Sequence, residues 1–148
     1  MNKRGYVYEY PRPAVTTDCV VFSKDSDGMS VLLIERANEP FKGCWAFPGG
    51  FMDMDENAEE CAKRELKEET GLELGTMRQL GAFTEVDRDP RGRTVSIVYY
   101  AVIDKAEVKG SDDAAQARWF PIDSIPSLAF DHEKILAMAL EKIKKGKA

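Results

Sequence analysis

Glu65, Glu68 and Glu69 are the residues of this chain best placed to do chemistry. On an α-helix, at about 100° per residue, positions i, i+3 and i+4 are surface neighbours. With Glu56 to Leu72 drawn as a helix, Ala58, Cys61, Ala62 and Leu66 share the side that packs inward, while Glu59, Glu60, Lys63 and Lys67 face mainly outward. Glu65 and Glu69 point toward the apolar side, and Glu68 sits on its flank. Like charges this close, and partly dehydrated, repel one another and need a compensating cation. An all-oxygen donor set suits magnesium or manganese. The alternative is a solvated acidic helix with ion pairs such as Glu59 with Lys63 or Glu60 with Arg64. The helical phase of Glu65 and Glu69 argues against it. Just upstream, Pro48-Gly49-Gly50 lets backbone approach a ligand without side-chain obstruction.

These residues need elements to hold them. Glu56 to Thr70 reads as a helix with Asp53 or Asp55 near its N-cap and Gly71 at its C-terminal stop. Before it, Ala14 to Ser23 and Val31 to Ile34 are β-rich runs around the turn Asp25-Ser26-Asp27-Gly28, which makes a hairpin. Cys44 to Phe47 is a short apolar run broken by the glycine turn. Arg78 to Val86, Thr94 to Asp104 and Arg118 to Ile122 are further strand candidates. A charged loop, residues 87–93, separates the first two. Asp131 is placed to cap a last helix whose apolar side carries Ile135, Leu136, Ala139, Leu140 and Ile143. Strands, helix, strands, helix predicts an α/β fold, a sheet covered by helices on one or both faces.

The whole chain limits the options. Its 148 residues suit a single domain over residues 1–148. A net charge of −5, with no basic run except the Lys142 to Lys147 tail, predicts no nucleic-acid partner. Cys19, Cys44 and Cys61 are spread out and lack CxxC spacing, which argues against disulfides and zinc. One histidine, His132, excludes a multi-histidine metal site. The first residues contain no apolar signal segment, and no run approaches the length of a membrane span. The expectation is therefore a cytoplasmic chain with no membrane partner.

At this point the residues match a family. The segment Gly50-(five residues)-Glu56-(seven residues)-Arg64-Glu65-Leu66-Lys67-Glu68-Glu69-Thr70-Gly71-Leu72 resembles the Nudix box at every fixed position. Four further stretches resemble the ADP-ribose pyrophosphatase branch: residues 10–13 (YPRP), 45–50 (WAFPGG), 88–93 (RDPRGR) and 128–132 (LAFDH). The resemblance implies an α/β/α sandwich around a mixed sheet. It also implies hydrolysis of a nucleoside diphosphate linked to another group, here ADP-ribose to AMP and ribose 5-phosphate. Carried over by position, Gly50 (through its carbonyl), Glu65, Glu68 and Glu69 are the implied metal contacts, for Mg2+ or Mn2+. Glu56 is an implied supporting carboxylate, and Arg64 the residue that orients a catalytic glutamate. Many relatives pair, so a homodimer is one option for assembly.

Other roles rest on residue type. Glu65 or Glu69 is a candidate general base, and so are Asp112, Asp113 and Glu133. Arg12, Arg91 and Arg93 are candidates for substrate binding, since a guanidinium can hold phosphate bidentately. The alternative is that they are solvated loop residues. Tyr10 or Phe130 could stack on a base. His132 suits structure or binding better than acid–base work. Two other functions share the motif: a housecleaning pyrophosphatase acting on nucleoside triphosphates, and a non-catalytic nucleotide sensor. The intact glutamates, and the absence of room for a DNA-binding domain before Ala148, count against the sensor.

Overall fold

The computed structural model describes residues 5–108, 110 and 114–146. In chain order the strands and helices are β1 (Ala14–Asp25), β2 (Gly28–Arg36), β3 (Trp45–Ala46), β4 (Gly49–Phe51), α1 (Ala58–Thr70), β5 (Arg78–Phe83), β6 (Thr94–Asp104), β7 (Ala114–Pro121) and α2 (His132–Lys145). They build a mixed sheet in the order β3-β2-β1-β6-β5, with β4 also pairing β1 and β7 pairing β2. β1 and β2 form the expected hairpin, closing at Asp25↔Gly28. β1 and β6 run parallel from Ala14↔Thr94 to Lys24↔Asp104, and the other pairings are antiparallel.

Period-two alternation along β1 supplies both faces of the sheet. Cys19 and Val21 pack with Leu32 and Tyr99 under Ala62 and Leu66 of α1. Val20 and Phe22 pack with Val31, Leu33 and Val98 under Ile135, Leu136 and Ala139 of α2. The result is the α/β/α layering that the resemblance implied. Among the described residues, no helix is long and apolar enough to cross a membrane.

Several boundaries differ from expectation. α1 begins at Ala58, not at Glu56, and neither Asp53 nor Asp55 caps it. Asn57 is the N-cap: its side chain accepts from Glu60 N–H, and the Glu60 carboxylate accepts from Asn57 N–H. This reciprocal capping box satisfies two free amides. Glu56 is left in the preceding turn, where its side chain can reach back along the helix. Gly71 ends α1 at φ +78°, as its position predicts. β5 stops at Phe83 rather than Val86, and β7 starts at Ala114, ahead of Arg118. Asp131 occupies the N-cap position of α2, but its side chain makes no capping bond.

Candidate active site

β4 carries the glycine turn alongside β1, with Thr17↔Gly50 and Asp18↔Gly49 in register. α1 lies over the same edge and brings Glu65 and Glu69 to the two glycines. Glu69 is buried, and its Oε1 accepts from Gly49 N–H at 2.8 Å. Glu65 is nearly as enclosed, at 15% side-chain exposure, and its carboxylate lies where a Cβ on Gly50 would stand. Both line a cleft of about 450 Å3 with Gly49, Gly50, Asp53 and Arg64.

Arg64 organises this wall. Its Nε donates to Glu56 Oε1 at 2.9 Å and its Nη2 to Oε2 at 2.7 Å, a two-pronged pair. Nη1 reaches Glu65 Oε2 at 3.2 Å and Glu68 Oε1 at 3.4 Å, and Nη2 reaches Phe51 O at 3.3 Å. The Arg64 hydrogen bonds hold the Glu56 carboxyl down at about 2, and Glu56 in turn raises the guanidinium well above its ordinary range. The sign follows from linkage. A carboxyl lowered from 4.5 on folding stabilises the native state above about pH 4.5 and loses that contribution as pH falls toward 2. We expect the difference in urea stability between the wild-type protein and Glu56→Gln to be constant above pH 5 and to shrink between pH 4 and 2. A difference that stayed flat to pH 2 would contradict the pairing.

The opposite wall is built from distant segments. Arg91 donates from Nε and Nη2 to the Asp89 carboxylate, at 3.1 and 2.8 Å. Its guanidinium also lies over the rings of Phe51 and Phe130, at 4.9 and 5.1 Å. Arg36 also stands over the Phe130 ring, at 5.0 Å, with its Nε donating to Pro40 O at 2.7 Å. Burial and the nearby Arg91 lower its pKa, while the Asp89 and Glu69 charges oppose that shift. Phe41 meets Phe130 edge-on at 4.9 Å. Phe41 and Phe130 both have left-handed backbone, at φ +64° and +54°. Such positions cost about 1–3 kcal/mol each in a non-glycine residue.

The cleft floor is polar and buried. Asp18 Oδ2 accepts from Ser96 Oγ at 2.5 Å, and burial pushes its carboxyl up to about 7 despite Ser96 and Arg88. His132 Nδ1 accepts from Phe47 N–H at 3.1 Å, so a neutral ring carries its proton on Nε2, 3.7 Å from Asp18 Oδ1. Burial lowers His132 to about 3, so it stays neutral at physiological pH and is no general acid there.

The family described as NUDIX domain matches residues 12–139. The chain belongs to the Nudix family. Three of its relatives are similar over most of this chain. An ADP-ribose pyrophosphatase of Methanocaldococcus jannaschii is 47% identical over 86% of this chain and 73% of its own. The ADPR responsive transcriptional repressor NtrR of Acinetobacter baylyi is 36% identical over 91% of this chain and 56% of its own. A bifunctional NMN adenylyltransferase/ADP ribose pyrophosphatase of Francisella tularensis, solved with AMP and a manganese ion, has a TM-score of 0.81. It is 31% identical and covers 91% of this chain and 43% of that one.

Seen as a Nudix box, the segment offers the right kind of donors for a divalent ion. They are the Glu65 and Glu69 carboxylates and the Gly50 carbonyl, which Cys61 Sγ–H meets at 3.7 Å. The glycine at 50 leaves open the space that a Cβ would fill against Glu65. Among the described residues, no three acidic, histidine or cysteine side chains already converge on one point. Glu68 is 56% exposed and turned to Arg64.

The remaining sequence candidates fall in different places. Arg91 and Phe130 stand in the cleft. Arg12 lies over the Tyr8 ring at 3.9 Å, and Arg93 Nη1 donates to Thr84 O at 2.9 Å; neither lines the cleft. Tyr10 is exposed, and so is Glu133 in the first turn of α2. Asp112 and Asp113 lie outside the described residues. Sequence reasoning missed Asp18, Arg36, Phe51 and Asp89. Asp18 carried one available signal, a charged residue directly before the apolar run 19–22 of β1.

Proposed function

We propose that this Nudix hydrolase cleaves the pyrophosphate of ADP-ribose, adding water across the P–O–P bond to release AMP and ribose 5-phosphate. The observation that carries the reading is the pairing of two unlike walls across one cleft. One presents carboxylates, Glu65 and Glu69, beside glycine backbone. The other presents Arg36 and Arg91 among aromatic rings. The 47% identical pyrophosphatase supports the substrate.

In this reading Glu65, Glu69 and the Gly50 carbonyl hold Mg2+ or Mn2+, and Glu68 contributes from the exposed side. The manganese in the Francisella tularensis structure supports a divalent ion. When bound, the ion neutralises the pyrophosphate oxygens and acidifies a water. Arg64, fixed by Glu56, orients Glu65. Glu65 and Glu69 are the base candidates that stand in the cleft, positioned to take the proton of the attacking water. Arg36, which lines the cleft beside the Phe130 ring, receives a phosphate. Arg91 has its Nε edge engaged by Asp89, so it serves better as a rigid plate and single-edge donor than as a free bidentate clamp. The Phe130 ring offers a stacking face. A single domain over residues 1–148 in the reducing cytoplasm, where Cys19, Cys44 and Cys61 stay free thiols, belongs to the same proposal.

The test is a substrate panel with Mg2+ and with Mn2+: ADP-ribose, NAD-type dinucleotides and nucleoside triphosphates. We expect AMP release from ADP-ribose to lead the panel. Preferential attack on triphosphates would replace this reading with a housecleaning one. Tight ADP-ribose binding without turnover would replace it with a sensor, as the relation to the repressor suggests.

A further inference from the structure

Arg88, itself in the cleft lining, and Asp131 form an enclosed ion pair away from the glutamate wall. Arg88 Nε donates to Asp131 Oδ2 at 2.9 Å and Nη2 to Oδ1 at 2.7 Å, with side-chain exposures of 4% and 14%. The two residues are 43 positions apart. Arg88 belongs to the β5–β6 loop, three residues before Arg91. Asp131 lies between Phe130 and His132 at the head of α2.

Two features show that this pairing comes at the expense of local preference. An aspartate at an N-cap ordinarily turns its carboxylate onto the first amides of the helix, but Asp131 makes no such bond. Phe130, immediately before it, is held in left-handed backbone that only over-determined surroundings maintain. Phe130 and His132, on either side of the anchored aspartate, both line the cleft. Phe130 meets Arg91 from the loop that Arg88 anchors, and His132 stacks on Phe47 at 4.9 Å. Both ends of the Phe130–Arg91 contact are thus tied to one bidentate bond.

We propose that Arg88 and Asp131 form a positioning latch that sets the distance between the β5–β6 loop and the head of α2. That distance fixes the aromatic and arginine wall that receives the nucleoside part of the substrate. The proposal rests on the functional reading above for the identity of that substrate. Neither residue touches the reacting atoms. Their effect is on binding geometry, not on the glutamate wall.

The test compares the wild-type protein with Arg88→Lys, Asp131→Asn and the double variant. Lysine keeps the charge but loses the planar fork. Kinetics are measured on whichever nucleotide the wild-type protein turns over best, and AMP affinity is measured by calorimetry without metal. Each single change is expected to raise KM roughly tenfold or more, because small misplacements of a binding wall are costly. kcat should stay within about threefold, and AMP affinity should fall in step with KM. The double variant should be no worse than the weaker single, because both break one bond. A single variant with lowered Tm but unchanged KM and AMP affinity would show a merely structural ion pair and overturn the latch. Penalties that multiply in the double variant would overturn it as well. If the wild-type protein fails to cleave ADP-ribose, the functional reading fails instead, and the latch is judged on AMP affinity. A wild-type protein that neither turns over a nucleotide nor binds AMP removes both.

Discussion

Replacing Glu69 by Gln is expected to lower kcat/KM for ADP-ribose by about a thousandfold or more, equivalent to about 4 kcal/mol of transition-state stabilisation. The fold should survive. Glutamine has the same size, and its Oε1 can still accept from Gly49 N–H, which the native carboxylate does at 2.8 Å. What disappears is the negative charge on a side chain enclosed between α1 and β4. Losing a charge-assisted hydrogen bond costs stability, while relief of repulsion from Glu65, one helical turn away, offsets part of it. The Tm should therefore move by only a few degrees. Activity within tenfold of wild type, in either metal, would remove Glu69 from the metal machinery.

The second large effect separates two adjacent glycines. An added Cβ on Gly49 would stand 2.7 Å from Asp18 Oδ1 and 2.9 Å from Asp18 Cα, and closer still to the Thr17 carbonyl. Most of that obstruction is backbone of the central strand, which cannot yield without breaking the β1–β4 pairing. Gly49→Ala should therefore cost about 3 kcal/mol of stability or more. An added Cβ on Gly50 meets only the end of a side chain, with Glu65 Cδ at 2.6 Å. Glu65 can rotate away, so Gly50→Ala should fold nearly as well as wild type. Its displaced carboxylate should cost roughly a hundredfold in kcat/KM. Paired melting curves and kinetics decide the matter. Equal destabilisation by the two changes would mean that Gly50 serves the turn alone.

The carboxylate wall was legible from the sequence because helical phase is local. Glu65 and Glu69 face inward and Glu68 stays on the flank because of their spacing on one helix, and nothing distant alters that. The cap was misread for an equally local reason. Asp53 and Asp55 looked adequate, but the Asn57–Glu60 reciprocal pair wins because it satisfies two amides at once. The arginine and aromatic wall was only partly legible. Residues 88–93 and 128–132 each stood out, but the bond joining them spans 43 positions, and no spacing rule reports it. Arg36 and Asp18 sit at the end and in the middle of strands, where they read as an edge charge and an oddity. Their meaning comes from the topology that brings β1, β2 and the head of α2 together.

The long parallel pairing of β1 with β6 has a further consequence, for the order in which this molecule can be made. Ala14 waits for Thr94, about 80 residues later. At ordinary synthesis rates of about 5–20 residues per second, that is about 4–16 s on the ribosome. During this interval the β1–β2 hairpin and the capped α1 can form from neighbours in the chain, but the strand that closes the sheet does not yet exist. Closing so long a loop adds an entropic cost that local contacts do not repay. The acidic helix, only 13 residues long, is marginal by itself until that backing arrives. Stable organisation of the cleft must be a late event in folding, completed only after the head of α2 has left the ribosome.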